Sequence, residues 1–145
     1  MAVIKDTIIN LLNYRIEQEE LSARLYKSMS IWLNKHGFIG ASKLWDKYSE
    51  EETGHAKWAY DYLLSLNIQP MVPTLMQPQL EFKGLPNIIA LSYQHEVEIL
   101  NQLQELADAA QVHNDYMTLE LVQRYLKEQV EEIEKTTTFI DKLEA

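Results

Sequence analysis

The chain has 145 residues, 46% of them hydrophobic, no cysteine and a formal net charge of −9 at neutral pH. This length suits one domain that buries its own core, and we expect a single domain over residues 1–145. A chain without cysteine has no disulfides or thiolate metal sites, which is typical of a cytoplasmic protein. The acidic charge disfavours nucleic acid as a partner. The apolar runs are short and predict neither a membrane span nor a signal peptide.

Prolines and glycines divide the chain into four helical stretches. All four prolines lie between Pro70 and Pro86. Two turn-like stretches, around Gly37 and around Asn114, interrupt the proline-free parts on either side. We therefore predict four helices, at roughly 3–36, 42–67, 86–112 and 115–143.

The connections between these helices predict how they pack. Ser42 is the predicted N-cap of the second helix, and Asn114 or Asp115 that of the fourth. A connection of nearly twenty residues separates the second helix from the third, whereas the other two connections are short. This pattern predicts an all-α fold, a four-helix up-down-down-up bundle with one long crossover between helices two and three.

One face of each predicted helix carries apolar residues at steps of three and four, as a buried face does. In the fourth helix this face consists of Val122, Tyr125, Gln129, Glu132, Thr136, Phe139 and Leu143. Near the middle of every helix, acidic or polar residues interrupt it. They are Glu19 in the first helix, Glu52 and His55 in the second, Glu96 in the third, and Gln129 and Glu132 in the fourth. Counting from the turns at about 1.5 Å per residue places them at one level of the bundle.

Spacing alone leaves two interpretations of these residues open. A single glutamate on an apolar face is usually a boundary residue whose carboxylate reaches solvent. Four carboxylates buried together, however, would cost more than a domain's net stability unless multivalent cations neutralise them. Carboxylates with a neutral imidazole suit divalent iron, manganese or zinc. The coincidence on all four helices favours a metal-binding layer.

Four motifs resemble the bacterial non-haem ferritins, a ferritin-like di-iron family, over nearly the whole chain. The first helix has Glu19 seven residues before Tyr26, within EELSARLYKSMSIW. The second has EETGHAKWAYDYL, and the third has YQHE ahead of ELADAA. The fourth has YLKEQVEEIEKTTTFIDKL. The resemblance implies a ferritin-like bundle that binds iron and assembles as a homo-oligomer.

The resemblance also implies a role for each residue of the layer. One metal position would be formed by Glu19, Glu52 and His55, and a second by Glu52, Glu96 and Glu132. Glu52 would bridge the two metals, and Gln129 would be a polar neighbour of the second. Tyr26 would hydrogen-bond into the cluster and be oxidised transiently, so that the catalytic residues would be Glu52, His55 and Tyr26.

The resemblance implies a third, weaker iron site at Glu51, Glu128 and Glu131, on the side facing a mineral cavity. The alternative for this trio is a solvated acidic face. Haem is not expected, because the features of bacterioferritins are absent. Their second Glu-x-x-His is replaced here by the stretch from Gln129 to Glu132, and their haem-ligating methionine by Thr53.

Two departures from the family pattern affect these expectations. Bacterial ferritins usually continue into a fifth helix that packs around a four-fold axis, whereas this sequence ends at Ala145. The resemblance implies a cage, whereas the departure at the fifth helix favours the alternative, a dimer. Arg124 stands where many relatives have an aromatic residue near the site. A cation there either alters iron affinity or electron transfer, or points outward.

The resemblance thus implies a ferroxidase and iron store. Such a protein binds two Fe(II) at a carboxylate and histidine centre and oxidises them with O2 or H2O2 to Fe(III) for mineral storage. One alternative is a small, non-storing di-iron protein, for example a peroxide-consuming dimer. Another is a helical interaction module whose acidic core binds structural metal. We expect no membrane partner in any of these cases.

Overall fold

Four helices make up most of the computed structural model, which describes residues 2–144 and the side chains of residues 2–142. They are α1 (Asp6–Lys35), α2 (Ile39–Ser65), α3 (Leu85–Val112) and α4 (Tyr116–Glu144). No strand occurs within the described range. The first two helices pack mainly on each other, as do α3 and α4, and α1 also contacts α3. The predicted all-α four-helix bundle with one long crossover is confirmed.

Three of the helices end in the same way, at a residue with left-handed backbone. Gly37, Asn67 and Asn114 have φ angles of 89°, 59° and 54°. Beyond each of them an amide donates back to a carbonyl five residues earlier, for example from Phe38 to Leu33 at 2.8 Å. Such a motif satisfies carbonyls that have no partner inside the helix, and glycine and asparagine tolerate its left-handed residue best. These local stops fix the ends of α1, α2 and α3.

The predicted cap of α4 is present, whereas that of α2 is wrong. Asp115 accepts a hydrogen bond from the amide of Thr118 at 3.0 Å, as an N-cap residue does. In contrast, α2 begins three residues before Ser42, which therefore lies inside the helix. The hydroxyls of Ser42 and Ser30 instead donate to each other's carbonyl oxygens, both at 2.7 Å. This buried serine pair joins α1 to α2.

Two large apolar clusters, with a smaller one around Ile99 and Leu103, fill the bundle on either side of a polar layer. The first is built around Ile8, Leu12 and Leu63 and the second around Met29 and Trp45, all of them buried. Every predicted core residue of α4 up to Thr136 is buried. Phe139 is only partly buried, and the side chain of Leu143 lies outside the described residues. Glu19, Glu52, Glu96 and Glu132 lie between these clusters and are buried.

The crossover between Leu66 and Gly84 runs along α1. The Ser28 hydroxyl donates to the carbonyl of Gln79 at 2.5 Å, and the Asn13 side chain accepts from the amide of Met71 at 2.9 Å. The crossover also contributes Phe82 to the core, where this buried side chain packs against Trp32 in the second apolar cluster. Within the described residues, no helix combines the length and apolar character needed to cross a membrane.

Candidate metal centre

The polar layer brings the predicted metal ligands together in two groups that share one residue. Glu19, Glu52 and His55 each offer a ligand atom, and these atoms lie within 4.8 Å of one another. The same holds for Glu52, Glu96 and Glu132. All five side chains are buried. A carboxylate common to two groups of ligands is the arrangement from which di-metal sites in helical bundles are built.

His55 turns one ring nitrogen to the cluster and the other away from it. Its Nδ1 lies 3.2 Å from Glu52 Oε2 and 3.8 Å from Glu19 Oε2. Its Nε2 faces Glu128 Oε1 at 3.6 Å, and the Tyr125 hydroxyl donates to the His55 backbone carbonyl. A carboxylate on the outer nitrogen of a ligand histidine orients the ring and fixes its tautomer. Nδ1 is therefore the atom that faces the space between the carboxylates.

Glu96 is held by two neutral donors. The Tyr26 hydroxyl donates to one of its oxygens, and Gln129 Nε2 donates to the other at 2.6 Å and to the Glu96 carbonyl at 2.8 Å. Tyr26 is buried, and the pKa of its hydroxyl is raised well above 10 by burial and by the neighbouring Glu96 charge. Tyr26 and Gln129 thus both lie beside the second group of ligands.

Burial of several acids in one layer makes their ionisation costly. The pKa of Glu52 is raised well above 4.5, first by burial and then by the charge of Glu19. Burial also raises the pKa of Glu96, while hydrogen bonds from Tyr26 and Gln129 oppose that rise. The pKa of Glu132 is raised to about 7, by burial and by Glu96. Divalent cations would remove this cost by replacing the protons with positive charge.

Two basic residues at the centre were not predicted from the sequence. Arg15 is buried, with Nε 3.1 Å from Glu19 Oε1, and its Nη2 donates to Gln102 at 2.9 Å. The Lys135 ammonium lies 3.2 Å from Glu132 Oε1. Arg15 precedes Glu19 by four residues and Lys135 follows Glu132 by three, so each pair shares a helix face. That spacing is the sequence signal for both contacts.

The trio proposed as a third iron site is more dispersed than the two groups described above. Glu51 and Glu128 are partly buried, and Glu131 is exposed. Within the described part of the chain, the trio is not among the groups of three whose ligand atoms lie within 4.8 Å of one another. Glu51 contacts Lys47 at 4.0 Å and Lys135 at 3.7 Å. A metal at this site remains a prediction.

Arg124 neither points away from the site nor reaches its carboxylates. Its guanidinium lies 3.7 Å from the centre of the Trp58 ring, a cation–π contact. The Trp58 ring lies 4.8 Å from that of His55 and 5.0 Å from that of Tyr125. Arg124 therefore covers an aromatic cluster that packs against the outer side of the histidine.

Comparison with known proteins matches almost the whole chain to ferritins. The model of the ferritin family, the ferritin-like domain, matches residues 9–145. A bacterial non-heme ferritin of Escherichia coli is 34% identical over 141 residues, which cover 97% of this chain and 86% of that protein. A bacterial non-heme ferritin of Campylobacter jejuni is 30% identical and is covered to 84% of its length.

Solved structures show the fold as well. An open pore ferritin from the hyperthermophilic archaeon Archaeoglobus fulgidus superposes with a TM-score of 0.96 at 28% identity. The match covers 99% of this chain and 88% of that one. Because the family model and the relatives both extend over nearly all of its length, the chain belongs to the ferritin family.

Proposed function

We propose that this protein is an iron-storage ferroxidase, which binds two Fe(II) in the polar layer and oxidises them to Fe(III). The observation that carries the proposal is the buried Glu52 carboxylate shared by two groups of ligands. The family and the fold support iron storage, and ferritins are typically ferroxidases. We propose one ferritin domain over residues 1–145 and iron, without haem, as its metal.

The chemistry of the donors fits a pair of divalent ions. The layer holds Glu19, Glu52, Glu96 and Glu132, and four carboxylates balance the charge of two Fe(II). Oxygen donors with one imidazole suit iron in this oxidation state. One buried oxygen, Glu19 Oε2, has no hydrogen-bond partner among the described residues and lies toward His55. A metal ion would supply the missing partner.

The proposed reaction removes one electron from each of two Fe(II). With O2 as oxidant, two electrons and two protons form H2O2; with H2O2, they form two molecules of water. The protein's part is to bind both ions at fixed separation and to exclude bulk water. Glu52 would hold both ions, His55 the first, and Glu96 and Glu132 the second. Tyr26 would donate its hydrogen bond to Glu96. Its transient oxidation would pass one electron to the oxidant and regain one from an Fe(II), so that the total remains two electrons.

The proposal predicts a fixed stoichiometry. Under anaerobic conditions we expect each chain to bind two Fe(II) tightly. On mixing with O2, the first phase should consume one O2 for every two Fe(II), because each O2 takes two electrons. A titration with Fe(II), followed by stopped-flow absorbance, gives the number of Fe(II) per chain, and an oxygen electrode gives the O2 consumed per Fe(II). Binding of a single Fe(II) per chain would contradict the two-ion centre.

Storage, unlike oxidation, requires a hollow assembly. We therefore expect size-exclusion chromatography with light scattering to show a large homo-oligomer that retains ferric iron after loading. A dimer that oxidises Fe(II) rapidly but retains no ferric iron would contradict storage, whereas the ferroxidase proposal would still hold. In that case the protein would be a small, non-storing di-iron enzyme. A folded protein that binds metal but oxidises none would fit a structural module instead.

A further inference from the structure

Lys135 occupies a position between a buried and a partly exposed carboxylate. Its ammonium lies 3.2 Å from Glu132 Oε1, inside the layer, and 3.7 Å from Glu51 Oε2, nearer the surface. It also lies 5.5 Å from the centre of the Tyr48 ring. The side chain of Lys135 is 40% exposed, whereas that of Glu132 is 5% exposed. Lys135 thus reaches from the surface of α4 to one end of the metal centre.

Arg15 at the other end makes the same kind of contact but is fixed. It is buried and anchored by Gln102, which in turn donates to Gln18 at 2.9 Å. Among the described residues, no side-chain amide anchors Lys135 in this way. Among them, its ammonium contacts only the carboxylates of Glu132 and Glu51 and the face of the Tyr48 ring. Its flexible stem lines a surface cavity of about 410 Å³, together with Thr138 and Lys142. The lysine therefore has room to move where the arginine has none.

A divalent ion held by Glu132 would repel an ammonium group that shares the same carboxylate. The ammonium has a second carboxylate within reach, because Glu51 Oε2 is buried and has no hydrogen-bond partner among the described residues. A short outward movement would exchange one anionic partner for another. It would not leave the lysine charge unpaired, and such an exchange costs little free energy at a half-exposed position.

We propose that Lys135 is a displaceable internal counter-ion, which neutralises Glu132 while the second metal position is empty and moves to Glu51 when a divalent ion binds. This inference depends on the proposed metal binding at Glu52, Glu96 and Glu132. In this role Lys135 stabilises the empty protein and weakens the second metal position. It is a positioning residue and binds no metal itself.

The test compares Lys135→Met with wild type, using zinc as a redox-inert probe at pH 8. Without metal, the variant should melt about 3 °C below wild type, because one ion pair of the empty site is lost. With saturating zinc, the two proteins should melt together. The dissociation constant of the weaker zinc ion, measured by competition with a chromophoric chelator, should fall about fivefold in the variant.

Two further variants separate this role from a general effect. Lys135→Arg keeps the charge and should behave as wild type. Lys142→Met removes an exposed lysine of the same helix and should alter neither melting temperature nor zinc affinity. An equal loss of melting temperature with and without zinc, or an unchanged second zinc constant, would overturn the inference. If wild type itself binds fewer than two zinc ions, the proposed metal centre fails rather than Lys135.

Discussion

Replacement of Glu52 by alanine is expected to lower the initial rate of Fe(II) oxidation by at least about a hundredfold. The reason is that Glu52 belongs to both groups of ligands, so its loss removes a donor from each metal position. His55→Ala should be damaging but less so, since His55 belongs to the first group alone. Stopped-flow measurement of ferric absorbance at two Fe(II) per chain gives both rates.

Glu50→Ala is the matched control for this experiment. Glu50 lies on the same helix but is exposed, so its replacement should leave the rate unchanged. The metal-free Glu52→Ala protein should melt no lower than wild type, because it has one buried carboxylate fewer to accommodate. Loss of activity in a folded variant then reflects loss of a ligand. A Glu52→Ala rate within about twofold of wild type would refute the bridging role.

The second large effect concerns the stability of the metal-free protein, which should decrease as pH rises from about 5 to 8. Glu52, Glu96 and Glu132 all have a raised pKa, which for Glu132 is about 7 instead of 4.5. A carboxyl with a higher pKa in the folded state binds more protons when folded, so its stabilising contribution is lost as pH rises through the folded pKa. For Glu132 alone, this loss lowers the free energy of unfolding by about 3 kcal/mol.

One group acts in the opposite direction. Burial lowers the pKa of His95, which makes the folded state more stable as pH rises toward 6.5. A single histidine opposes three carboxyls, so we expect the net stability to fall. Thermal melts of metal-free protein at several pH values should therefore show a decrease of roughly 5–10 °C between pH 5 and 8. Zinc at a hundredfold excess over its dissociation constant should restore about 2.7 kcal/mol.

The outcome that would contradict this second prediction is a flat or rising melting temperature between pH 5 and 8, with no effect of zinc. The glutamates would then be solvated, and the metal centre would lose its physical basis. A decrease with pH that zinc fails to reverse would have a different meaning. It would confirm that the acids are buried but exclude the layer as a zinc site.

The bundle was predictable because its signals repeat along the chain. The apolar face of each helix recurs at steps of three and four over several turns, so single exceptions such as the partly buried Phe139 do not change the assignment. The positions of Glu19, Glu52, Glu96 and Glu132 could be brought to one level by counting from the turns, because helix rise is constant. Four coincident interruptions carry much more information than any one of them.

Some contacts at the site could not be predicted, either because the partner lies on another helix or because the residue is of a kind that usually faces solvent. Ser42 has the residue type of an N-cap, but its hydroxyl is taken by Ser30 of α1, and no local signal announces that pairing. Arg15 and Lys135 are charged residues of kinds that usually face solvent. Their contacts with Glu19 and Glu132 become evident only when the level of the metal centre is known. Arg124 resembles Ser42 in this respect, because its partner Trp58 lies on another helix.

The apolar clusters on either side of the polar layer stabilise the fold, and the layer between them holds the residues that would bind metal. Apolar packing around Leu12 and Leu63 at one end, and around Met29 and Trp45 at the other, holds the helices together on both sides of the layer. The polar layer can therefore keep several carboxylates that repel one another as long as no cation neutralises them. In the proposed function, ions would enter, change oxidation state and leave while the ends of the bundle stay closed.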